Sequence, residues 1–148
     1  MTRVRRIVCA SDFSTASRKA VATAITMAKA NRAALILVHV VAPMVRLAPD
    51  QYVPSTTWQE IEIGTRAWAQ EQIDKLAVKA RKAGIRAAAL LLEGDAAAQI
   101  VRAARSKRAD LLVLGTHGRT GVSKFFLGSV AERVVATAPC PVVTVRGR

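Results

Sequence analysis

The 148-residue chain has few of the residues that mark several common protein classes. Its only two cysteines, Cys9 and Cys140, form no C-x-x-C pair, so neither a disulfide framework nor a cysteine-based zinc site is indicated. Both lie in or beside apolar runs, which is typical of buried thiols in a reducing compartment. With its two histidines far apart as well, the chain offers no metal-ligand spacing, and no metal site is predicted.

Long hydrophobic runs are also absent. The longest is "AAALLL" at 87–92, well short of the roughly 18 residues that a membrane-spanning helix needs. The N-terminal stretch "MTRVRRIVCASDF" has the positive charges of a signal peptide, but its apolar part "IVCA" is too short for a secretory core. We therefore expect a cytoplasmic protein with no membrane association.

Aromatic residues make up only 4% of the chain although 51% is hydrophobic, so the core must be mostly aliphatic. Charge is unbalanced: 23 Lys and Arg against 10 Asp and Glu give a net charge of +13. Such a balance permits contacts with nucleic acid or with anionic ligands. The basic residues are scattered over helical patterns, however, without the interleaved aromatics that single-strand binders use. Specific nucleic-acid binding is therefore the weaker interpretation.

What the sequence does contain is a regular alternation of apolar runs and helical patterns. Strands are predicted at 4–10, 33–41, 85–93, 109–115 and 141–146, and helices at 15–31, 57–83, 95–107 and 129–138, with a long loop at 42–56. This alternation predicts one α/β domain over residues 1–148, a single parallel open sheet with helices on both faces. On the long helix, helical spacing puts one stripe together: Ile61, Thr65, Trp68, Gln72, Leu76, Ala80 and Ala83. Asp95 is expected to cap the third helix, and Gly84 to end the second.

Two polar stretches follow strands one and four: Asp12, and the glycine-spaced loop from Gly115 to Ser129. In open α/β sheets, ligands bind beyond the carboxyl ends of the strands. Glycines in such a loop let backbone N–H groups approach an anion, and the helix that begins at Gly128 and Ser129 adds free N–H donors. Simpler roles stay open, because Ser129 and Glu132 have capping-box spacing and Asp12 could be a turn residue.

The loop matches neither a Walker A motif nor the G-x-G-x-x-G dinucleotide motif; its spacing is G-x2-G-x9-G-S. Together with "IVCASDFSTAS", "LILVHVV", "VAERVV" and "APCPVVTVR", it resembles the universal stress protein family in its ATP-binding branch, over the whole chain. The resemblance implies a Rossmann-like fold of the adenine nucleotide alpha hydrolase type, with strand order 3-2-1-4-5.

The same resemblance implies ATP or a related adenine nucleotide as the ligand, with or without Mg²⁺. Asp12 would contact the ribose or adenine, while Ala10, Val40, Leu114 and Gly115 would form the adenine slot. The residues expected to hold the phosphates are His117, Gly118, Gly128, Ser129 and Val130, with Arg119 adding positive charge nearby. At the position of Ala10, nucleotide-binding members often carry proline, so the adenine wall is expected to differ slightly.

Three functions remain open from the sequence. The first is a nucleotide-binding regulatory module of the stress response with at most slow hydrolysis, the second a slow ATPase or phosphotransfer enzyme, and the third a basic nucleic-acid binder. Asp12 is the main carboxylate near the loop, so no catalytic residue is predicted. His39, inside an apolar strand, is predicted to be a hydrogen-bonded core residue. The apolar strand 141–146 is expected to pair across a two-fold axis in a homodimer, and the protein partner is unknown.

Overall fold

The computed structural model describes residues 3–43, 54–116 and 128–147, which contain five strands and four helices. The strands are β1 (Arg6–Ala10), β2 (Ala34–Val41), β3 (Ala87–Glu93), β4 (Leu111–Gly115) and β5 (Val142–Val145). The helices are α1 (Thr15–Asn31), α2 (Ser55–Lys82), α3 (Ala96–Ser106) and α4 (Ser129–Thr137). Strands and helices alternate as predicted, with boundaries shifted by one or two residues.

The five strands form one parallel sheet in the order β3-β2-β1-β4-β5, which confirms the expected topology. In the centre of the sheet, Val8 of β1 lies opposite Ile36 of β2 on one side and Leu112 of β4 on the other. This order makes β1 and β4 neighbours. The polar stretches that follow these two strands therefore begin side by side at the carboxyl edge of the sheet.

Helices cover both faces of the sheet because successive side chains of each strand point to opposite sides. Ile7 and Cys9 pack against α1 and α2, whereas Val8 packs with α3 and α4. The largest fully buried side chains are all aliphatic apart from Cys9, as the scarcity of aromatics predicts. Burial of each large aliphatic side chain contributes roughly 1.5–3 kcal/mol to the free energy of unfolding. The aliphatic layers between the sheet and the helices on its two faces therefore stabilise the fold.

The ends of α2 and α3 follow from local chemistry that the sequence predicted. The Asp95 side chain accepts a hydrogen bond from the Ala98 N–H at 3.0 Å and so caps α3. Helix α2 ends before Gly84, whose φ of 89° lies in the left-handed region that favours glycine. None of the helices in the described ranges is long and apolar enough to cross a membrane.

The stripe predicted on α2 coincides with the buried side of the helix only towards its C-terminal end. Ala80 is buried and Leu76 packs against the core, whereas Ile61 and Trp68 are each 47% exposed. The rest of the buried side is formed by Ala69, Ile73 and Ala77. The alanines let the helix approach the sheet closely, which a stripe of larger side chains would prevent. Residues 55–68 of α2 include no fully buried side chain, so this half of the helix extends beyond the packed core.

Candidate functional site

A cleft opens at the carboxyl edge of the sheet, where β1 and β4 end next to each other. Its volume is about 330 Å³, within the usual range for small-molecule sites. Of the predicted site residues, those that line it are Ala10, Asp12, Val40, Leu114, Gly115, Gly128, Ser129 and Val130. The other three, His117, Gly118 and Arg119, lie outside the described residues. The topology thus brings together every predicted site residue whose position is described.

One wall of the cleft is apolar. Ala10 and Leu114 are 8% and 4% exposed, and they face the cleft together with Val38, Val40 and Ile100. These side chains come from β1, β2, β4 and α3, so their spacing is set by the sheet and not by a loop. Because the wall is aliphatic and held by strands, it suits a flat apolar group.

Asp12 lies at the cleft and also shapes the turn into α1. Its Oδ1 accepts a hydrogen bond from the Ser14 N–H at 2.9 Å, which confirms the turn role considered from the sequence. A carboxylate has two oxygens and can accept several hydrogen bonds. The turn contact and a ligand contact are therefore compatible at this residue.

Three serines beside Asp12 line the cleft, and sequence reasoning missed them. The hydroxyls of Ser11 and Ser17 are 3.2 Å apart, and the Ser17 hydroxyl donates to the Ser14 carbonyl at 2.9 Å. Ser14 is the N-cap of α1 and accepts from the Ser17 N–H at 3.3 Å. The S-x2-S-x2-S spacing in "SDFSTAS" was the available signal. Because the serines satisfy one another, they give the cleft a polar side without a net charge.

Helix α4 begins at the opposite side of the cleft without a side-chain cap. Gly128 is its N-cap, and the first hydrogen bond of the helix runs from the Glu132 N–H to the Gly128 carbonyl at 2.9 Å. The N–H groups of Ser129, Val130 and Ala131 consequently have no backbone or side-chain acceptor in the part of the chain that the structure describes. These three residues line the cleft, so their donors are available to an anion there.

The capping-box interpretation of Ser129 is therefore wrong. Ser129 is the first residue inside α4, one position too late for its hydroxyl to act as the N-cap. The N-cap is Gly128, which has no side chain, and the Gly128 N–H donates to the Thr116 carbonyl. That amide is occupied within the chain, whereas the next three have no acceptor among the described residues.

Two of the predicted site glycines have a structural reason that involves no ligand. A Cβ on Gly115 would lie 3.0 Å from the carbonyl carbon of Ala16, and one on Gly128 would lie 2.7 Å from the carbonyl oxygen of Thr116. Gly128 has a φ of −58°, which any residue can adopt. Close contact between chain segments, and not backbone freedom, explains why these positions are glycine.

His39 lies at the edge of the cleft and is only half-buried, so its predicted core location is wrong. The prediction that it would be hydrogen-bonded is confirmed: its Nδ1 lies 2.7 Å from the Ser11 carbonyl oxygen. A carbonyl can only accept, so Nδ1 carries the hydrogen. The ring stacks on Phe13 at 4.3 Å between centroids, and Phe13 meets Trp68 edge to face at 5.4 Å. This trio joins the turn after β1 to α2.

An ion pair links the N-cap of α3 to the second turn of α4. The Arg133 Nη1 lies 2.9 Å from Asp95 Oδ1. The hydrogen bond from Arg133, followed by that from the Ala98 N–H, lowers the pKa of Asp95 below its ordinary value, and the same bond raises the pKa of Arg133. Beneath the cleft floor, burial raises the pKa of Cys9 to about 12, so its thiol stays neutral at physiological pH.

The sequence matches the profile of the universal stress protein family over residues 3–146. A universal stress protein of Methanocaldococcus jannaschii is 37% identical over 144 residues, which cover 96% of this chain and 82% of the relative. Another, from Thermus aquaticus, is 34% identical over 142 residues, covering 96% of this chain and 98% of the relative.

The fold is also similar to that of solved universal stress protein structures. The universal stress protein UspA from Lactobacillus plantarum superposes with a TM-score of 0.85 at 23% identity, covering 99% of this chain and 100% of the other. The universal stress protein from Archaeoglobus fulgidus in complex with dAMP has a TM-score of 0.65 at 23% identity and covers 98% and 99% of the two chains. A universal stress protein in complex with cAMP has a TM-score of 0.74 at 23% identity and covers 99% and 100%.

Proposed function

Because the chain belongs to the universal stress protein family, we propose that it binds ATP or a related adenine nucleotide in this cleft. We propose further that it acts in the cytoplasm as a nucleotide-dependent regulatory module of the stress response. The observation that carries the proposal is an apolar wall that faces, across one cleft of about 330 Å³, three amides of α4 with no acceptor among the described residues. Complexes of similar folds with dAMP and cAMP support the choice of an adenine ligand.

The base would occupy the apolar wall. Val40 and Leu114 flank the floor at Ala10, which leaves a slot between strands where a flat ring can be buried. Asp12, which also lines the cleft, would accept a hydrogen bond from a ribose hydroxyl or from the adenine amino group. The alanine floor has no side chain beyond its methyl group and lets the ring lie close to β1.

The phosphates would meet the first turn of α4. The N–H groups of Ser129, Val130 and Ala131 point out of the helix end, where the positive end of the helix dipole adds to their attraction for an anion. Hydrogen bonds from such donors to a charged phosphate contribute roughly 1.5–3 kcal/mol each. We further propose that His117, Gly118 and Arg119 complete the phosphate site.

We propose at most slow hydrolysis of the bound nucleotide. Rapid phosphoryl transfer needs carboxylates to hold Mg²⁺ and to align the attacking group. Asp12 is the one carboxylate among the described residues that line the cleft, and its Oδ1 already bonds to the Ser14 N–H. No group of three or more His, Cys, Asp or Glu in the described ranges could hold a metal ion. Any Mg²⁺ would therefore be held mainly by the phosphates and water.

Calorimetric titration with ATP, with and without Mg²⁺, tests the proposal. Asp12→Ala should weaken binding at least tenfold because it removes a charged acceptor at the base end. Arg18→Ala, an exposed α1 residue that does not line the cleft, is the matched control and should bind like the wild type. No measurable heat or competition with ATP, AMP or cAMP at millimolar concentration would refute nucleotide binding.

A nucleic-acid binder remains the competing function because of the net charge of +13. It would show affinity that falls steeply with salt and does not respond to ATP. Fluorescence anisotropy with a labelled oligonucleotide at two salt concentrations, in the presence and absence of ATP, separates the two functions.

We also propose that β5 forms the interface of a homodimer. It lies at the edge of the sheet, and its inner side is occupied: the carbonyls of Pro141 and Val145 accept from β4, from Leu112 and Thr116, at 3.0 Å each. The ladder alternates, so the backbone groups of Val142 and Thr144 face the open edge. An apolar edge of this kind is normally covered, and its own copy is the simplest cover.

Thr144→Pro tests this proposal because it removes an outward N–H without removing a bond to β4. In sedimentation at micromolar concentration, the wild type should be a dimer and Thr144→Pro a monomer with an unchanged circular dichroism spectrum. Thr144→Ala keeps the N–H and should remain a dimer. A wild-type monomer at that concentration would contradict the proposal.

A further inference from the structure

A second concave surface lies on the outer side of α3 and α4, away from the cleft. It has a volume of about 640 Å³, and every described residue that lines it belongs to one of these two helices. We call it the α3–α4 groove. Its floor consists of small or apolar side chains: Ala97 and Val101 are buried at 2% and 7% exposure, and Ala98 and Ala136 are more exposed. An apolar surface between two helices is a common packing site for a third helix.

The rim of the α3–α4 groove is cationic. Arg102 and Arg105 project from α3 and Arg133 from α4, and all three are exposed. Arg133 shares its charge with Asp95, but neither Arg102 nor Arg105 forms an ion pair with any described residue. No acidic side chain is among the residues that line the groove. The surface therefore combines apolar contact area with positive charge that has no acidic partner in the described chain.

We propose that the α3–α4 groove binds an acidic amphipathic helix of a partner protein. The apolar face of such a helix would lie over Val101 and the alanines, and its carboxylates would pair with Arg102 and Arg105. Guanidinium groups bind carboxylates in a two-pronged geometry that favours specific pairing. Nucleic acid fits less well because the alanine and valine floor offers no donors to phosphate and no aromatic ring for a base to stack on.

The location of the groove also separates it from the nucleotide cleft. Ile100 of α3 and Val130 of α4 line the cleft, and neither is among the described residues that line the groove. The same two helices thus contribute one side to each surface. Binding at the groove is expected without nucleotide, so its test does not depend on the function proposed above.

The probe is a fluorescent peptide of Glu and Leu, about 18 residues or five helical turns long, with Leu on one face. Anisotropy is measured on the full chain at about 150 mM salt, where charges more than about 8 Å apart are screened. Arg102→Gln/Arg105→Gln should weaken binding about tenfold or more. Lys79→Gln/Lys82→Gln removes the same charge from α2, where Glu71 and Asp74 also lie, and should bind like the wild type.

Equal loss in both double variants would overturn the proposal, because net charge alone would then explain binding. So would a peptide of the same composition with scrambled order that binds as tightly, or an oligonucleotide that displaces the probe at similar concentration. A lower oligomeric state of Arg102→Gln/Arg105→Gln in sedimentation would assign the groove to contacts between copies of the chain, which also overturns it. Circular dichroism of each variant verifies that it is folded.

Discussion

Helices α3 and α4 begin close together at the carboxyl edge of the sheet, but they differ in how their first amides are satisfied. At α3, the Asp95 carboxylate accepts from the Ala98 N–H at 3.0 Å. At α4, the N-cap is Gly128, and the N–H groups of Ser129, Val130 and Ala131 have no acceptor in the described ranges. Helix α3 thus has a carboxylate at its N-terminus, whereas no described side chain caps the N-terminus of α4.

This difference explains why the α4 end suits a phosphate better than the α3 end. A capped N-terminus already has a negative group at the positive end of its dipole, so a second anion there would be repelled. Arg133 of α4 pairs with Asp95, which further neutralises the α3 end and holds the start of α3 against α4. The cleft therefore has one anion-attracting helix end beside one that is closed.

The largest expected effect is a loss of ATP affinity when a negative charge is placed at the N-terminus of α4. Ser129→Asp places a carboxylate at the first turn of α4, where it would take the position of a phosphate. We expect ATP affinity to fall about a hundredfold, corresponding to about 2.7 kcal/mol, because attraction at this site becomes repulsion. Calorimetric titration measures the loss.

Thermal unfolding of ligand-free Ser129→Asp supplies the internal check, since an acidic residue near a helix N-terminus should keep or raise Tm. Ser129→Ala, which keeps the amide and adds no charge, should bind ATP within a few-fold of wild type. Unchanged ATP affinity in Ser129→Asp would mean that α4 does not hold the phosphates.

The second effect concerns stability. Gly128→Ala would place its Cβ 2.7 Å from the Thr116 carbonyl oxygen, so the backbone at the start of α4 must shift. We expect it to destabilise the ligand-free protein by roughly 1–3 kcal/mol, as overpacking does. Denaturant unfolding measures the change, and any loss of ATP binding in this variant would follow from the shift and not from a lost contact.

Gly64→Ala is the matched control because a Cβ there meets nothing within 4 Å and the position lies inside α2. Replacing a helix-interior glycine by alanine should stabilise the protein by about 1 kcal/mol. Equal behaviour of Gly64→Ala and Gly128→Ala would show that the close contact at Gly128 has no energetic consequence.

Much of the fold followed from the sequence because it depends on simple periodicity. Apolar runs such as "LILVHVV" have no polar face, which requires burial on both sides and hence a parallel sheet with helices on both faces. The order of the strands could not be predicted from periodicity and was inferred from the family resemblance. Periodicity does not say which strands are neighbours, and the juxtaposition of Asp12 with the start of α4 depends on that order.

The errors arose where packing overrides a local pattern. The stripe through Ile61 and Trp68 follows helical spacing, but in that half of α2 both side chains are exposed, and the helix packs on the sheet through Ala69, Ile73 and Ala77. For Ser129, the S-x-x-E spacing placed the N-cap one residue too late, because the contact of Gly128 with the Thr116 carbonyl fixes where the helix begins. Such contacts between distant segments leave no periodic trace in a sequence.

The smallest expected effect is the pH dependence contributed by the cap of α3. The pKa of Asp95 is lowered from its ordinary value of 3.8, first by the hydrogen bond from Arg133 and then by that from the Ala98 N–H. In the pH range just below 3.8, the unfolded chain thus binds more protons at this position than the folded chain does. The stabilisation from Asp95 is complete above that value and is lost as pH falls through the lowered folded pKa.

Asp95→Asn isolates this effect, because asparagine caps a helix nearly as well but does not titrate or pair ionically with Arg133. The difference in denaturation midpoint between wild type and Asp95→Asn should be small at about pH 7, as expected for an exposed ion pair, and should shrink as pH falls below 3.8 towards the lowered folded pKa. A difference that is constant across this range would mean that the charge of Asp95 does not stabilise the fold. The N-termini of α3 and α4 would then differ only in the hydrogen bond that caps α3. In that case an uncharged acceptor in place of Asp95 would leave the first turn of α4 as able to attract a phosphate as it is in the wild type.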